Sequence, residues 1–155
     1  MEWRREGYTI STDKARLDRA AIHGFLRDSY WAQGIPREIV NKSIRNSLCF
    51  GLYDGKGNAQ VGFARVITDF STFAYLADVF VLPSHRGQGL AVWLMEVIRA
   101  HPELQGLRRF ALATRDAHGL YASFGFTPLA APERFMERHL PGVYTEAAPT
   151  LAESE

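Results

Sequence analysis

The sequence predicts an α/β (α+β) fold: a mixed central sheet of six to seven strands with an antiparallel N-terminal meander and flanking helices. Three apolar stretches, 48–53, 60–68 and 73–81, are joined by short turns, which predicts antiparallel strands. An apolar pattern with helical spacing then covers 90–100 and leads to a strand at 108–114. A strand reached through such a helical crossover should run parallel to the strand before it. The meander argues against a parallel dinucleotide-binding sheet.

The composition is that of an ordinary globular protein. The 155 residues are 46% hydrophobic, and the net charge of +1 favours neither nucleic acid nor an anionic membrane as a partner. A single cysteine, Cys49, is typical of a reducing compartment, so we expect a cytoplasmic location. We expect no signal sequence, membrane span or metal site, because no apolar run is long enough and the histidines are scattered. We also expect one domain at 1–144 and a disordered tail at 145–155.

The N-terminal third predicts a short strand followed by two helices. The strand covers 8–10, and the side-chain oxygens of Ser11–Asp13 are suited to cap the first helix. Pro36 is suited to the first position of the second helix. The expected apolar faces consist of Leu17, Ala21, Ile22, Phe25, Leu26 and Ser29 in the first helix, and of Ile39, Val40 and Ile44 in the second.

The connection between these helices carries two neighbouring aromatic residues, Tyr30 and Trp31, shortly before Gly34. Two interpretations of this pair stay open. The side chains either pack against the helices or line a substrate pocket.

The stretch from Asp78 to Ala91 organises the chain. The strand must stop at Pro83, which cannot donate to a ladder. Arg86-Gly87-Gln88-Gly89 follows, and a helix begins at Leu90. A helix start has unpaired N–H groups and partial positive charge, glycine lets a phosphate approach, and Arg86 adds a cation. The junction therefore predicts a diphosphate site. A purely structural turn is one alternative; a dinucleotide loop is another, although the third glycine of GxGxxG is missing.

The region after the strand at 108–114 predicts a helix and then further strand segments. The helix covers 116–124 and is closed by Gly125. The segments 126–129 and 134–138 carry strand-forming residues and are expected to extend the sheet.

Two motifs resemble those of the GNAT superfamily, the acyl-CoA-dependent N-acyltransferases. Arg86-x-x-Gly89-x-Ala91, placed directly after a strand, is similar to the family's pyrophosphate loop. Ala117-x-x-x-Tyr121-x-x-x-Gly125-Phe126 is similar to the family's helix whose tyrosine lies near the CoA sulfur. Thr114 stands where the family often has asparagine, so a polar contact expected there is weakened or made differently.

The resemblance implies the GNAT fold and acetyl-CoA as cosubstrate. In such proteins the strand backbone pairs with the pantetheine arm, and a bulge near Val81 frees one N–H to face the thioester oxygen. The residues that the resemblance assigns to cosubstrate binding are Phe80, Val81, Arg86, Gly87, Gln88, Gly89, Leu90 and Ala91. Tyr121 would be the acid that protonates the departing thiolate.

The implied reaction is transfer of the acetyl group to a primary amine of a small molecule or peptide, by direct attack in a ternary complex. Asp78, an ionisable residue in an apolar strand, is the first candidate for the base, with Asp116, His118 or a water molecule as alternatives. Tyr30 and Trp31 would flank the acceptor. A CoA-binding regulatory module without transfer activity is the second hypothesis. The acceptor, the use of other acyl groups and the formation of a homodimer stay open.

Overall fold

One mixed sheet forms the centre of the protein. The computed structural model describes residues 1–56 and 58–145. Within these ranges, six strands pair with their neighbours in chain order. The strands are β1 (Glu2–Arg5), β2 (Tyr8–Ser11), β3 (Leu48–Asp54), β4 (Gln60–Thr68), β5 (Phe73–Val81) and β6 (Arg109–Leu112). The pairings from β1 to β5 are antiparallel, and β5 pairs with β6 in parallel. The predicted fold class is confirmed.

Four α-helices cover the two faces of the sheet within the described ranges. They are α1 (Arg19–Arg27), α2 (Arg37–Arg45), α3 (Leu90–Ala100) and α4 (His118–Ala122). Neighbouring strand residues point to opposite faces, so Cys49 packs in a core with α1 and α2 whereas Phe50 packs in a core with α3. None of the helices described has the length and hydropathy that a bilayer crossing requires.

The predictions for the middle of the chain agree closely with the structure. Strands β4 and β5 and helix α3 have the predicted bounds, and β6 lies parallel to β5 as the helical crossover requires. Strand β5 ends at Val81, and Pro83 opens a short 3-10 helix, Pro83–His85. The order of strand, turn, glycine loop and helix was therefore predicted correctly.

The N-terminal predictions need correction. The strand predicted at 8–10 is β2, and the sequence analysis missed β1, which pairs with it along the edge of the sheet. Three of the four β1 residues are charged and exposed, so β1 has no apolar alternation to reveal it. Helix α1 begins only at Arg19, because Asp18 accepts from Ala21 N–H and caps it. Asp13 instead caps the 3-10 helix Lys14–Arg16.

The predicted second helix is also displaced in detail. Pro36 is the N-cap residue of α2 rather than its first helical residue. Ile39 is exposed, so the apolar face of α2 is formed by Val40 and Ile44.

The strand segments predicted at 126–129 and 134–138 are wrong. The described residues there contain no strand, only the 3-10 helix Pro132–Arg134. Pro128 and Pro132 lack the N–H that a ladder needs. The segment contacts the sheet through side chains instead, since the Arg109 guanidinium lies 4.7 Å from the centre of the Phe135 ring. Apart from Thr145, the predicted tail at 145–155 lies outside the described residues.

Candidate active site

A β-bulge in β5 interrupts its regular pairing with β4. Between Ala77 and Phe80, β5 has one residue more than the facing part of β4, which shifts the register of the pair. Asp78 lies in this bulge with a φ of 56°, a conformation that is uncommon for a residue with a side chain. The parallel pairing with β6 ends opposite Leu76. The residues of β5 after Leu76 therefore have one backbone edge that β6 does not pair with, and we call the space beside this edge the cleft.

The glycine loop lies at the end of this bulged strand. Gly87 and Gly89 have φ values of 80° and 75°, which only glycine adopts easily, and a Cβ at either position would meet open space within 4 Å. Gly89 is the N-cap of α3, and the first bond within the helix runs from Trp93 N–H to Gly89 O. The N–H groups in the first turn of α3 thus have no partner within the helix, and the glycines beside them carry no side chain. This geometry fits a diphosphate.

Side chains hold the loop from two directions. Arg86 Nε donates to Val81 O at 2.9 Å, which fixes the guanidinium at the end of β5. From β2, the Tyr8 hydroxyl lies 2.9 Å from His85 Nδ1 and 3.4 Å from Gln88 Oε1. Tyr8 was missed by the sequence analysis, since no local pattern relates it to a loop 77 residues away.

The Tyr121 phenol is buried where α4 meets the core. Burial raises the pKa of Tyr121, and the neighbouring Tyr30 phenol raises it further. A tyrosine phenol is protonated at neutral pH at its ordinary pKa, and the raised pKa keeps it so. Thr114 stabilises the turn that leads into α4, because its Oγ1 accepts from the N–H of Ala117, the N-cap residue, at 3.0 Å. Asp116, one of the alternative bases, is exposed and makes no capping bond to α4.

Asp78 is held in a partly buried polar cluster. Its Oδ2 accepts from Arg65 Nε at 2.8 Å and its Oδ1 accepts from Trp31 Nε1 at 2.9 Å. Arg65 also donates from Nη1 to Ser47 Oγ at 3.1 Å. The side chains of Arg65 and Asp78 are 15% and 9% exposed, so the pair is largely removed from water. Each carboxylate oxygen already accepts a bond, and further proton acceptance must use its remaining lone pairs.

A row of aromatic side chains connects the Asp78 cluster to helix α1. Phe25 stacks on Phe80 with ring centres 4.0 Å apart, and its ring lies 6.2 Å from Trp31. Trp31 in turn meets Tyr30 edge to face at 5.1 Å. Tyr30 and Trp31 are 49% and 41% exposed. The structure therefore brings Tyr30 and Trp31 beside Asp78, with exposed ring surface left over for a ligand.

The predicted site residues thus form two neighbouring groups. The loop Arg86–Ala91 and the end of β5 make the first group, and Tyr30, Trp31 and Asp78 make the second. Tyr30 links the second group to Tyr121, because its phenol contributes to the raised pKa of Tyr121. The sequence analysis missed Arg65, which only the β4–β5 pairing places beside Asp78.

Comparison with known proteins agrees with this geometry. The mixed sheet, the bulged strand and the glycine loop define the class of an acetyltransferase domain. Residues 45–128 match the family model described as the acetyltransferase (GNAT) domain. The chain therefore belongs to the GNAT acetyltransferase family.

Individual relatives support this assignment. A GNAT-family protein of Xanthomonas campestris pv. campestris, described as a candidate acetyltransferase, is 53% identical, with a TM-score of 0.88 over 92% of this chain and 100% of that chain. A protein of Gibberella zeae named as a candidate acetyltransferase is 37% identical, and the match covers 78% of this chain and 79% of the relative. A Clostridium acetobutylicum structure with acetyl-CoA shares the fold at 14% identity and a TM-score of 0.61, over 85% and 94% of the two chains.

Proposed function

We propose that the protein is an N-acetyltransferase that transfers the acetyl group of acetyl-CoA to a primary amine of a small molecule or peptide, by direct attack in a ternary complex. The observation that carries this proposal is the open glycine loop at the end of the bulged strand β5, at the mouth of the cleft beside β6. Acetyl-CoA supplies an acetyl group activated as a thioester. Everything else is done by residues of this chain.

The loop binds the diphosphate of the cosubstrate. The backbone at Gly87 and Gly89 is open, since nothing lies within 4 Å of where a Cβ would stand, and helix α3 adds its positive end. Arg86, anchored on Val81 O, adds a fixed positive charge. The unpaired edge of β5 at Phe80 and Val81 binds the pantetheine arm as an additional strand would. These contacts place the thioester beside the bulge.

Tyr121 donates a proton to the departing thiolate. Its raised pKa keeps the phenol protonated at neutral pH. Asp78 remains the candidate for the base. Its carboxylate is held by Arg65 and Trp31 and has lone pairs left for a water molecule that relays the proton of the amine. The acceptor binds between the exposed rings of Tyr30 and Trp31 and the bulge.

A thiol-release assay tests the proposal. The protein is incubated with acetyl-CoA and, separately, with polyamines, aminoglycosides, amino acids and peptides, and free CoA is measured. We expect release above the hydrolysis background with at least one class of amine, together with a matching acetylated product by mass spectrometry. CoA-dependent thermal stabilisation without release for any amine would contradict transfer and support the regulatory module.

A further inference from the structure

Arg115 and Tyr30 join the two sides of the cleft. Arg115 lies between β6 and α4, and Tyr30 lies in the connection between α1 and α2, 85 residues earlier. The backbone N–H of Arg115 donates to the Tyr30 hydroxyl at 3.3 Å. The Arg115 guanidinium carbon lies 3.8 Å from the centre of the Tyr30 ring. One face of the guanidinium is therefore covered by an aromatic ring, a cation–π contact that fixes where the charge sits.

The guanidinium keeps most of its hydrogen-bonding capacity. The Arg115 side chain is 65% exposed, and its ion contact is with Asp116 Oδ2 at 3.7 Å, beyond the length of a charge-assisted hydrogen bond. Asp116 is itself 68% exposed and free to turn away. Stacking occupies a face of the guanidinium, whereas its N–H donors lie in the plane of the group. The donor edge is thus available to a planar or tetrahedral anion.

The Asp116 carboxylate is the charge nearest to Arg115, and water screens this exposed contact strongly. Deeper in the site, Arg65 and Asp78 form an ion pair at 2.8 Å and neutralise each other. Tyr30 carries Arg115 on its ring and also packs edge to face on Trp31, whose indole N–H is held by Asp78. The exposed guanidinium of Arg115 therefore lies at the rim of the acceptor region, one aromatic ring away from Trp31.

We propose that Arg115 is a specificity-determining residue that binds an anionic group, a carboxylate or a phosphate, of the acceptor. This inference rests on the proposed acetyl transfer and narrows its substrate class to amines that carry an anion apart from the reacting nitrogen. Amino acids and amine phosphates belong to this class, and polyamines do not. The guanidinium fork binds such an anion with two parallel hydrogen bonds, which a lysine ammonium does not reproduce.

The kinetic test compares amines that differ only in the anion. Ornithine is compared with putrescine, and phosphoethanolamine with ethanolamine, in the acetyl-CoA thiol-release assay. For Arg115→Gln we expect kcat/KM with the preferred anionic amine to fall about 10- to 100-fold, mostly through KM, as for loss of hydrogen bonds to a charged group. Activity with the counterpart that lacks the anion should change less than about twofold, and Arg115→Lys should recover part of the loss. Arg99→Gln, on the exposed end of α3, is the matched control.

A binding measurement distinguishes a failure of this inference from a failure of the proposed acetyl transfer. Isothermal titration of the CoA-loaded wild type and of Arg115→Gln with the same amines reports the anion contact without any transfer. Tighter binding of an anionic amine that is lost in Arg115→Gln supports the subsite even where thiol release fails for every amine. Equal binding and turnover of the amines with and without the anion, unchanged in Arg115→Gln, would overturn it. Thermal unfolding verifies that the variants are folded.

Discussion

The Tyr8 hydroxyl lies 2.9 Å from Nδ1 of His85, and the two rings meet edge to face at 5.8 Å. Tyr8 belongs to β2, near the edge of the sheet, whereas His85 ends the 3-10 helix that leads into the glycine loop. The same hydroxyl contacts Gln88 within the loop. Strand β2 therefore restrains the backbone on which the diphosphate is expected to bind.

Tyr8→Phe should weaken the binding of acetyl-CoA. One net hydrogen bond is worth about 0.5–1.5 kcal/mol, so we expect a rise of about 2- to 10-fold in the Kd for CoA and in the KM for acetyl-CoA. The value of kcat should be nearly unchanged, because Tyr8 does not contact the cleft. Titration calorimetry measures the Kd. Tyr75→Phe on β5 is the control, and an equal loss in both variants would contradict a specific role for Tyr8.

Tyr121→Phe should remove the proton donor and leave the core filled. General acid catalysis contributes about 100- to 10,000-fold, so we expect kcat to fall at least about 100-fold. The Kd for CoA should change little, since the ring still packs edge to face on Phe126 at a ring-centre distance of 6.1 Å. Steady-state kinetics across pH measures the effect. Full turnover by this variant at every pH would refute the acid role.

Arg65→Met should destabilise the protein. It leaves the Asp78 carboxylate, 9% exposed, without its positive partner. Breaking a buried pair in this way costs about 3–5 kcal/mol, and partial access of water places our expectation near about 3 kcal/mol. Guanidinium-induced unfolding measures the change. In the double variant with Asp78→Asn most of the loss should be recovered; purely additive losses would show that the two side chains are not coupled.

His101 should make stability depend on pH below neutrality. Its ring is buried against Trp3 and Phe50, and burial lowers its pKa from the ordinary 6.5, against an opposing effect of Glu103. Below that value the unfolded chain takes up a proton that the folded chain resists, so stability is present above about pH 6.5 and declines as the pH falls. Unfolding at pH 7 and pH 5 measures this decline.

The control for His101 is His101→Asn, which does not titrate and can still accept from Glu103 N–H, as the Nδ1 of His101 does at 3.2 Å. Stability should fall less between pH 7 and pH 5 in His101→Asn than in the wild type, and the difference is the contribution of His101. An identical decline in both would show that other groups cause it.

The sequence predicted those parts of the fold that neighbouring residues determine. The bounds of β4, β5 and α3 follow from continuous apolar patterns. The loop follows from the two glycines beside Arg86, and both have a positive φ in the structure. Strand β1 escaped prediction because its charged residues lie on an exposed edge. Phe135 and its neighbours suggested a strand at 134–138, but Phe135 packs against the Arg109 guanidinium instead.

The sequence likewise predicted only those parts of the candidate site that neighbouring residues determine. Tyr121, Asp78 and the loop stand out locally, as a motif or as a charge in an apolar strand. The Arg65–Asp78 pair, the Tyr8–His85 contact and the stacking of Arg115 on Tyr30 join residues that are distant in sequence. Their pairing arises from sheet register and helix packing, which no local pattern contains.

The most direct test of the central claim is a crystal structure of the protein with coenzyme A. We predict diphosphate oxygens at about 2.7–3.2 Å from backbone nitrogens of the loop Gly87–Ala91, with the Arg86 guanidinium beside them. The pantetheine arm should lie along the free edge of β5 at Phe80 and Val81, with its sulfur toward Tyr121. Coenzyme A bound away from this loop, with the loop and the β5 edge vacant, would contradict the account.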